Sequence, residues 1–350
     1  MYNIGMINLT ITENQGNQRL DRFLKKYFDG APLSRIYKMI RKDIKINGKR
    51  GKEDTLLLPG DQLTLYITES EAASMQKPKK IIRVKRQFKI AYEDENIIVV
   101  EKPFGLLTHG DRTEKKNHLA NQVIDYLIET GAYQPRLDKT FSPAPANRLD
   151  RNTTGLVVFG KNAAALQELN RMIRQKDAVR KLYMTIVSGN LKEKVTLHAA
   201  MTKDEKKNLV HVFCGESGEN DKNVPEGSKE METIASPVRH ADYCGTDYTL
   251  TEVEIVTGRT HQIRAHLAAA GCPVIGDVKY GSRKVNQMAA QKFGLHTQLL
   301  HAYKLIFEKC DEEGPLAYLQ GKVVTAQLPD EFKRIEETIF GNNEKGGKRS

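Results

Sequence analysis

Residues 147–161 read N-R-L-D-R-N-T-T-G-L-V-V-F-G-K and constrain the fold more than any other stretch. Leu156, Val157, Val158 and Phe159 form an apolar run between two glycines, which predicts a buried strand. Asn152, Thr153, Thr154 and Gly155 are turn formers, so Arg148, Asp150 and Arg151 belong to a loop feeding that strand. One carboxylate between two guanidiniums is thereby held at the mouth of a sheet. By spacing alone, R-x-D-R describes a surface ion-pair knot of little energetic worth. Arg19-Leu20-Asp21-Arg22 repeats the tetrapeptide with no strand after it, and there Asp21 is expected on the polar face of a first helix. Only context gives the second copy meaning.

A chain of 350 residues has room for two domains and a well-buried core. It contains no apolar run of membrane-spanning length, and its N-terminus lacks the basic segment of a signal peptide. Cys214, Cys244, Cys272 and Cys310 are scattered, which argues against zinc and against a disulfide framework and places the protein in a reducing cytoplasm. The net charge is uneven. Residues 1–88 carry 18 Lys and Arg against 9 Asp and Glu, a net of +9, leaving only +2 of the whole chain's +11. A basic N-terminal part on a near-neutral body implies a polyanion-binding module, with nucleic acid as the partner and no membrane.

The N-terminal region predicts a short edge strand (3–11), a helix (19–28) and a second helix beginning at 32–34. Leu33, Ile36, Tyr37 and Ile40 are expected to face inward, with Arg35, Lys38, Arg41 and Lys42 on the other face. A hairpin follows: Ile44-Lys45-Ile46, a turn at Asn47-Gly48, then Lys49-Arg50, with a closing strand at 63–67. Residues 33–50, L-S-R-I-Y-K-M-I-R-K-D-I-K-I-N-G-K-R, resemble the αL (S-four type) RNA-binding domain first described in a small-subunit ribosomal protein. That resemblance implies a domain at 1–68 whose phosphate contacts come from Arg35, Lys38, Arg41, Lys42, Lys45, Lys49 and Arg50.

Residues 69–87 are expected to form a basic linker that also touches phosphates, and residues 341–350 a disordered tail. Between them, 88–340 alternates strands (89–92, 97–101, 156–159, 181–188, 248–256, 301–307) with helices (119–129, 163–175). A long exposed loop is expected at 215–230. Without a regular βαβ alternation, the expected class is α+β around a mixed or antiparallel sheet.

Three segments put polar groups on turns beside buried strands: N-R-L-D-R-N-T-T-G (147–155), R-K-L-Y (180–183) and T-G-R-T-H-Q-I-R (257–264). In this order, behind the N-terminal module, they resemble the pseudouridine synthases of the RluA type, RluC/RluD branch. The resemblance implies isomerisation of uridine to pseudouridine within structured RNA. Large-subunit (23S) ribosomal RNA is the first expectation and tRNA the alternative. The C1′–N1 bond breaks and C5 of uracil bonds to C1′, so no redox change occurs and neither cofactor nor metal is called for. Asp150 is then the catalytic carboxylate at C1′, as nucleophile or as base at the sugar. Arg264 is its counter-charge. Tyr183 packs on the base and is a candidate to receive the C5 proton. Arg148 fills the stack vacated by the flipped nucleotide, while Arg151 is structural. The family most often has histidine where Asn147 stands and serine where Thr154 stands, which puts this loop's RNA contacts in question. His261 and His266, five apart, miss helical metal-pair spacing and read as structural or RNA-facing.

Two other classes compete. A non-catalytic RNA-binding or assembly factor would lack one of Asp150, Tyr183 and Arg264, and all are present. A glycosidase would show a second paired carboxylate, but the nearest upstream one is Asp138 and no paired motif appears. The protein is expected to be a monomer.

Overall fold

A computed structural model describes residues 5–77, 83–204, 206–213 and 224–341. The expectations for the tail beyond Gly341, for most of the 215–230 loop and for the centre of the linker lie outside the described residues, as does Cys214.

The N-terminal unit has its own core. The helix Leu20–Tyr27 buries Leu20, Phe23 and Leu24, and the helix Leu33–Lys42 buries Ile36, Met39 and Ile40. They cover a three-stranded sheet ordered Ile7–Thr10, Gln62–Leu65, Ile44–Ile46. Several expectations need correction. Leu33 opens its helix and stays 58% exposed, because the buried face is set by Ile36, Met39 and Ile40. Asp21 is buried rather than solvated; Arg19 and Lys25, each 3.0 Å away, compensate its charge. Lys49-Arg50 is no strand. Asn47 and Gly48 take φ of 48° and 79°, as a type I′ turn requires; Lys49 closes the expected hairpin with Ile46 through two backbone hydrogen bonds (2.8 and 2.9 Å), and the full strand partner of Ile44–Ile46 is Gln62–Leu65.

The linker expectation changes at both ends. Glu69–Ser74 is a helix, started by a Thr68–Glu71 capping box, and Ala72 and Met75 join the N-terminal core. Arg83 pairs with Asp125 (3.2 Å) and Glu129 (2.9 Å) on the next domain's first helix, so it docks the chain instead of hanging free.

The remainder is built on one eleven-stranded mixed sheet. Its path of nine runs Leu209–Phe213, Val195–Asp204, Lys229–Tyr243, Thr246–Ile255, Val179–Ser188, Leu300–Phe307, Thr154–Gly160, Ile97–Lys102, Lys89–Glu93; off it, Val323–Thr325 pairs with Leu300–Phe307 and Ala144–Pro145 with Thr154–Gly160. Every pairing is antiparallel except Leu300–Phe307 with Thr154–Gly160, which meet in parallel over two residue pairs. The expected α+β class holds. The central strands are apolar without alternation because both faces are covered. Val157 and Phe159 face one core with the helices Leu119–Glu129 and Gln262–Ala269, whereas Leu156 and Val158 face the other with Ala163–Arg174. The helices Arg283–Phe293 and Asp330–Phe340 close the far end.

Sequence periodicity does not reveal those last two helices or the strands at 195–204, 209–213 and 229–243. The last of these carries Pro237 at a register shift, the kind of position where a sheet tolerates proline, and that residue masks the strand pattern. No helix among the described residues is long and apolar enough to cross a membrane.

Gly155 enables the parallel junction. Its φ is 111°, and a Cβ there would lie 2.1 Å from the Ala302 carbonyl oxygen. Any side chain would force the two strands apart and displace the loop that carries Asp150.

Candidate active site

A cavity of about 380 Å³ opens where the 147–153 loop, the strand Val179–Ser188 and the helix Gln262–Ala269 converge. Arg148, Asp150, Tyr183 and Arg264 all line it, so the residues singled out in the catalytic domain come together.

The loop is fixed by its own polar groups. Thr108 Oγ1 donates to the Leu149 carbonyl (3.0 Å) and accepts from the Leu149 N–H (3.1 Å). Asn147 Oδ1 accepts from Val158 N–H (2.9 Å), and its Nδ2 donates to the Leu156 carbonyl (3.2 Å). Asparagine here thus ties the loop to the strand by two backbone bonds. Thr154 Oγ1 lies 2.7 Å from His301 Nδ1. Lys102, which in the sequence looks like part of a turn, is buried. Its ammonium donates to the carbonyls of Pro103, Leu106 and Arg151 at 3.1, 2.7 and 2.9 Å. Burial lowers its pKa to about 7, with the Asp150 charge opposing.

Arg264 is 5% exposed, although it stands on a helix. Its Nη1 donates to Asp150 Oδ2 at 3.1 Å. Its Nε and Nη2 grip Asp277 at 2.6 and 2.9 Å, a bidentate pair. Asp277 also accepts the backbone N–H groups of Lys279 (2.9 Å) and Tyr280 (3.2 Å). Burial alone would raise the Asp277 carboxyl, but Arg264 and those N–H groups hold it below the usual range. Burial likewise works against the Arg264 charge, and Asp277 followed by Asp150 more than restores it. Asp277 is absent from the residues that the sequence singles out. The available signal is an arginine already promised to one carboxylate through one nitrogen, with two nitrogens still to satisfy.

Asp150 is 23% exposed in its side chain, open to a ligand from the cavity side. Both Arg264 and the His261 ring (3.9 Å) approach Oδ2. Tyr183 lies in the core beside it. Burial and then the negative charge of Asp150 raise the phenol's pKa, so the hydroxyl is neutral at physiological pH. A register shift between Leu182 and Tyr183, where Leu300–Phe307 has one extra residue, aims the ring at the cavity. Arg148 is exposed at the rim, next to His109. Arg151 is exposed and pairs with Asp111 at 3.4 Å.

The turn before the helix depends on Gln262. Its side chain accepts from Thr257 Oγ1 (2.8 Å) and Arg259 N–H (3.0 Å) and donates to the Glu232 carbonyl (2.9 Å) and Thr233 Oγ1 (3.0 Å). His266 bonds Thr233 at 3.0 Å, a structural role. His261, by contrast, lines the cavity.

In the N-terminal unit, Lys38, Arg41, Lys42, Lys49 and Arg50 are exposed. Arg35 is half-buried and pairs with Glu71 (3.4 Å) and Asp43 (4.0 Å), and Lys45 lies over the Tyr66 ring at 5.4 Å.

The Asp277 carboxylate sets a testable energy. Asp277→Ala leaves a buried guanidinium short of its main partner and is expected to lower unfolding free energy by about 3 kcal/mol. Because the folded-state pKa lies below the unfolded value of 3.8, this contribution is full above that value and fades as pH falls through the folded one. Urea unfolding of both proteins should show a constant gap above about pH 5 that narrows below about pH 4.

Comparison with known proteins gives the family. The family model described as RNA pseudouridylate synthase matches residues 96–269. The chain is 33% identical over 333 residues to ribosomal large subunit pseudouridine synthase C of Pasteurella multocida (strain Pm70), spanning 93% of this chain and 92% of that protein. It is 32% identical over 309 residues to the protein of the same name from Escherichia coli (strain K12), spanning 85% and 88%. Among solved structures, human RNA pseudouridylate synthase domain containing 4 shares the fold, with a TM-score of 0.50 at 20% identity over 71% of this chain and 91% of that one. The chain belongs to the RNA pseudouridylate synthase family, within its RluA-type branch, and is an isomerase.

Proposed function

We propose that this protein converts uridines of large-subunit ribosomal RNA to pseudouridine, with Asp150 acting at C1′ of a nucleotide flipped into the cavity. The observation that carries this reading is the Arg264–Asp150 contact at 3.1 Å, on the wall of a cavity that Tyr183 also lines. The relatives' printed names supply the RNA class.

Breaking the C1′–N1 bond builds positive charge at the sugar, and a carboxylate at that point lowers the barrier. Arg264 gives Asp150 a fixed counter-charge and orients it, while Asp277 keeps Arg264 from swinging into the cavity. The Tyr183 ring offers a flat face to the uracil while it turns to present C5. Its neutral hydroxyl is the proposed group for handling the C5 proton. Arg148, exposed at the rim, takes the space left in the RNA stack. The N-terminal unit is proposed as an αL-type RNA-binding domain that grips phosphates through its exposed basic residues. Arg35, already paired with Glu71 and Asp43, is the weakest candidate among the basic residues of this unit.

Two experiments test this. Carbodiimide-based pseudouridine mapping of ribosomal RNA should show sites that vanish when the gene is deleted and return with the wild-type gene but not with Asp150→Asn. If no site vanishes, or if Asp150→Asn restores them, the reading is wrong. Separately, replacing Lys38, Arg41 and Lys42 by Gln should weaken RNA binding and reduce the salt-dependence slope by roughly 0.7–0.9 per lost phosphate contact. An unchanged slope in filter binding across a salt series contradicts the phosphate-gripping role.

A further inference from the structure

Among the described residues, five non-glycine residues have positive φ: Asn17, Asn47, Asn208, Cys244 and His261. Three of the first four are asparagines, the residue type that tolerates this conformation best, and none of the four is buried. His261 is buried at φ 51°, where asparagine or glycine would fit with less strain. A strained residue kept at a cavity wall points to a use for its side chain.

The neighbours of the ring suggest what that side chain presents. His261 Nδ1 lies 3.0 Å from the Tyr280 hydroxyl. That hydroxyl already accepts the N–H of Val210, at 2.9 Å. With one lone pair taken by Val210, the hydroxyl is placed to donate its own proton to His261 Nδ1, the arrangement in which Nδ1 is the unprotonated nitrogen. At the other side of the ring, Nε2 lies 3.9 Å from Asp150 Oδ2, a pure acceptor. Both neighbours select one tautomer, with the proton on Nε2 and directed at the carboxylate.

We propose that His261 is a positioning residue for Asp150. Its Nε2–H, held in register by Tyr280 and Val210, closes on Oδ2 when RNA fills the cavity and, with Arg264, leaves Oδ1 to face C1′. The inference rests on Asp150 acting at C1′. The separation of 3.9 Å in the free protein exceeds hydrogen-bonding distance and shortens when substrate binds, since catalytic contacts are often long in free enzymes. A neutral donor suits the task, because it orients the carboxylate without adding a second counter-charge. Burial pushes His261 down to about 4; Asp150 and Asp277 pull the other way, and Arg264 and Lys279 reinforce the shift. The ring is thus uncharged at physiological pH.

The inference also links the site to the hairpin formed by Val195–Asp204 and Leu209–Phe213 at the end of the sheet. Val210, whose N–H bonds the Tyr280 hydroxyl, belongs to that hairpin. Contact of RNA with the hairpin would be felt at Asp150 through two hydrogen bonds and one imidazole.

The first test is spectroscopic and needs no substrate. Full-length protein labelled with ¹⁵N-histidine, with His261 assigned by its loss in His261→Asn, should show Nε2 protonated and Nδ1 bare at pH 7. Tyr280→Phe should give mixed tautomers. A proton on Nδ1, or a doubly protonated ring, overturns the proposal. The second test is single-turnover tritium release from a large-subunit ribosomal RNA transcript carrying [5-³H]uridine. A Gln amide reaches where Nε2 sits, whereas an Asn amide reaches only as far as Nδ1. His261→Gln should stay within about threefold of wild type, while His261→Asn should lose about tenfold to a hundredfold in rate with RNA affinity intact. Backbone strain alone predicts the reverse order, since asparagine is the better left-handed residue, so an equal or reversed order overturns the proposal. A wild-type protein that releases no tritium refutes the substrate reading instead, and the tautomer spectrum then decides on its own.

Discussion

The catalytic domain is arranged around one buried guanidinium. Arg264 holds two carboxylates at once, Asp277 by two hydrogen bonds and Asp150 by one. Enclosing an arginine is costly unless its donors are met, and Asp277 meets most of that cost with help from two backbone N–H groups. The division of labour is unequal. Asp277 is fully buried and fully bonded, whereas Asp150 keeps partial exposure toward the cavity. One carboxylate anchors the cation while the other keeps a face open to the cavity.

That arrangement brings together residues far apart in sequence. Asp150 rides on the loop before a central strand, and Asn147, Thr108 and Lys102 pin that loop from three sides. Tyr183 comes from a neighbouring part of the same sheet, across Leu300–Phe307. Arg264 comes from a short helix whose entry is held by Gln262. A sheet covered on both faces supplies the rigidity, because none of its central strands can slip without exposing a full set of apolar side chains. The N-terminal unit has a separate core and meets the body through polar contacts such as Asn14 with the Ala163 N–H (3.0 Å) and Lys139 with Gln76 (3.2 Å).

Much of this is legible in the sequence, for physical reasons that differ by element. The apolar run at 156–159 marks a strand because a short β-branched and aromatic run between glycines suits a buried strand best. The Asn47-Gly48 turn is legible because that dipeptide suits a conformation other residues resist. Asp277 and Tyr280 are not legible, since a charged or phenolic residue on a turn carries no local sign of being buried, as Asp277 is, or half-buried, as Tyr280 is. The exposed Leu33 and the buried Asp21 show the same limit from the other side: helical spacing sorts faces, but ends and ion pairs override it. Reading residues 69–74 as linker fails because it weighs charge before the capping residues Thr68 and Glu71. Spacing alone sets His261 aside, while its significance lies in a backbone angle and in two hydrogen-bond neighbours that no sequence displays.

The central claim is that these side chains alone isomerise uridine in RNA. The most direct measurement incubates purified full-length protein, in buffer with chelator and no added cofactor, with a large-subunit ribosomal RNA transcript, followed by nuclease digestion and nucleoside chromatography. The account predicts pseudouridine appearing as uridine is lost, mole for mole. Uridine that persists unchanged, or free uracil released in place of pseudouridine, would contradict it.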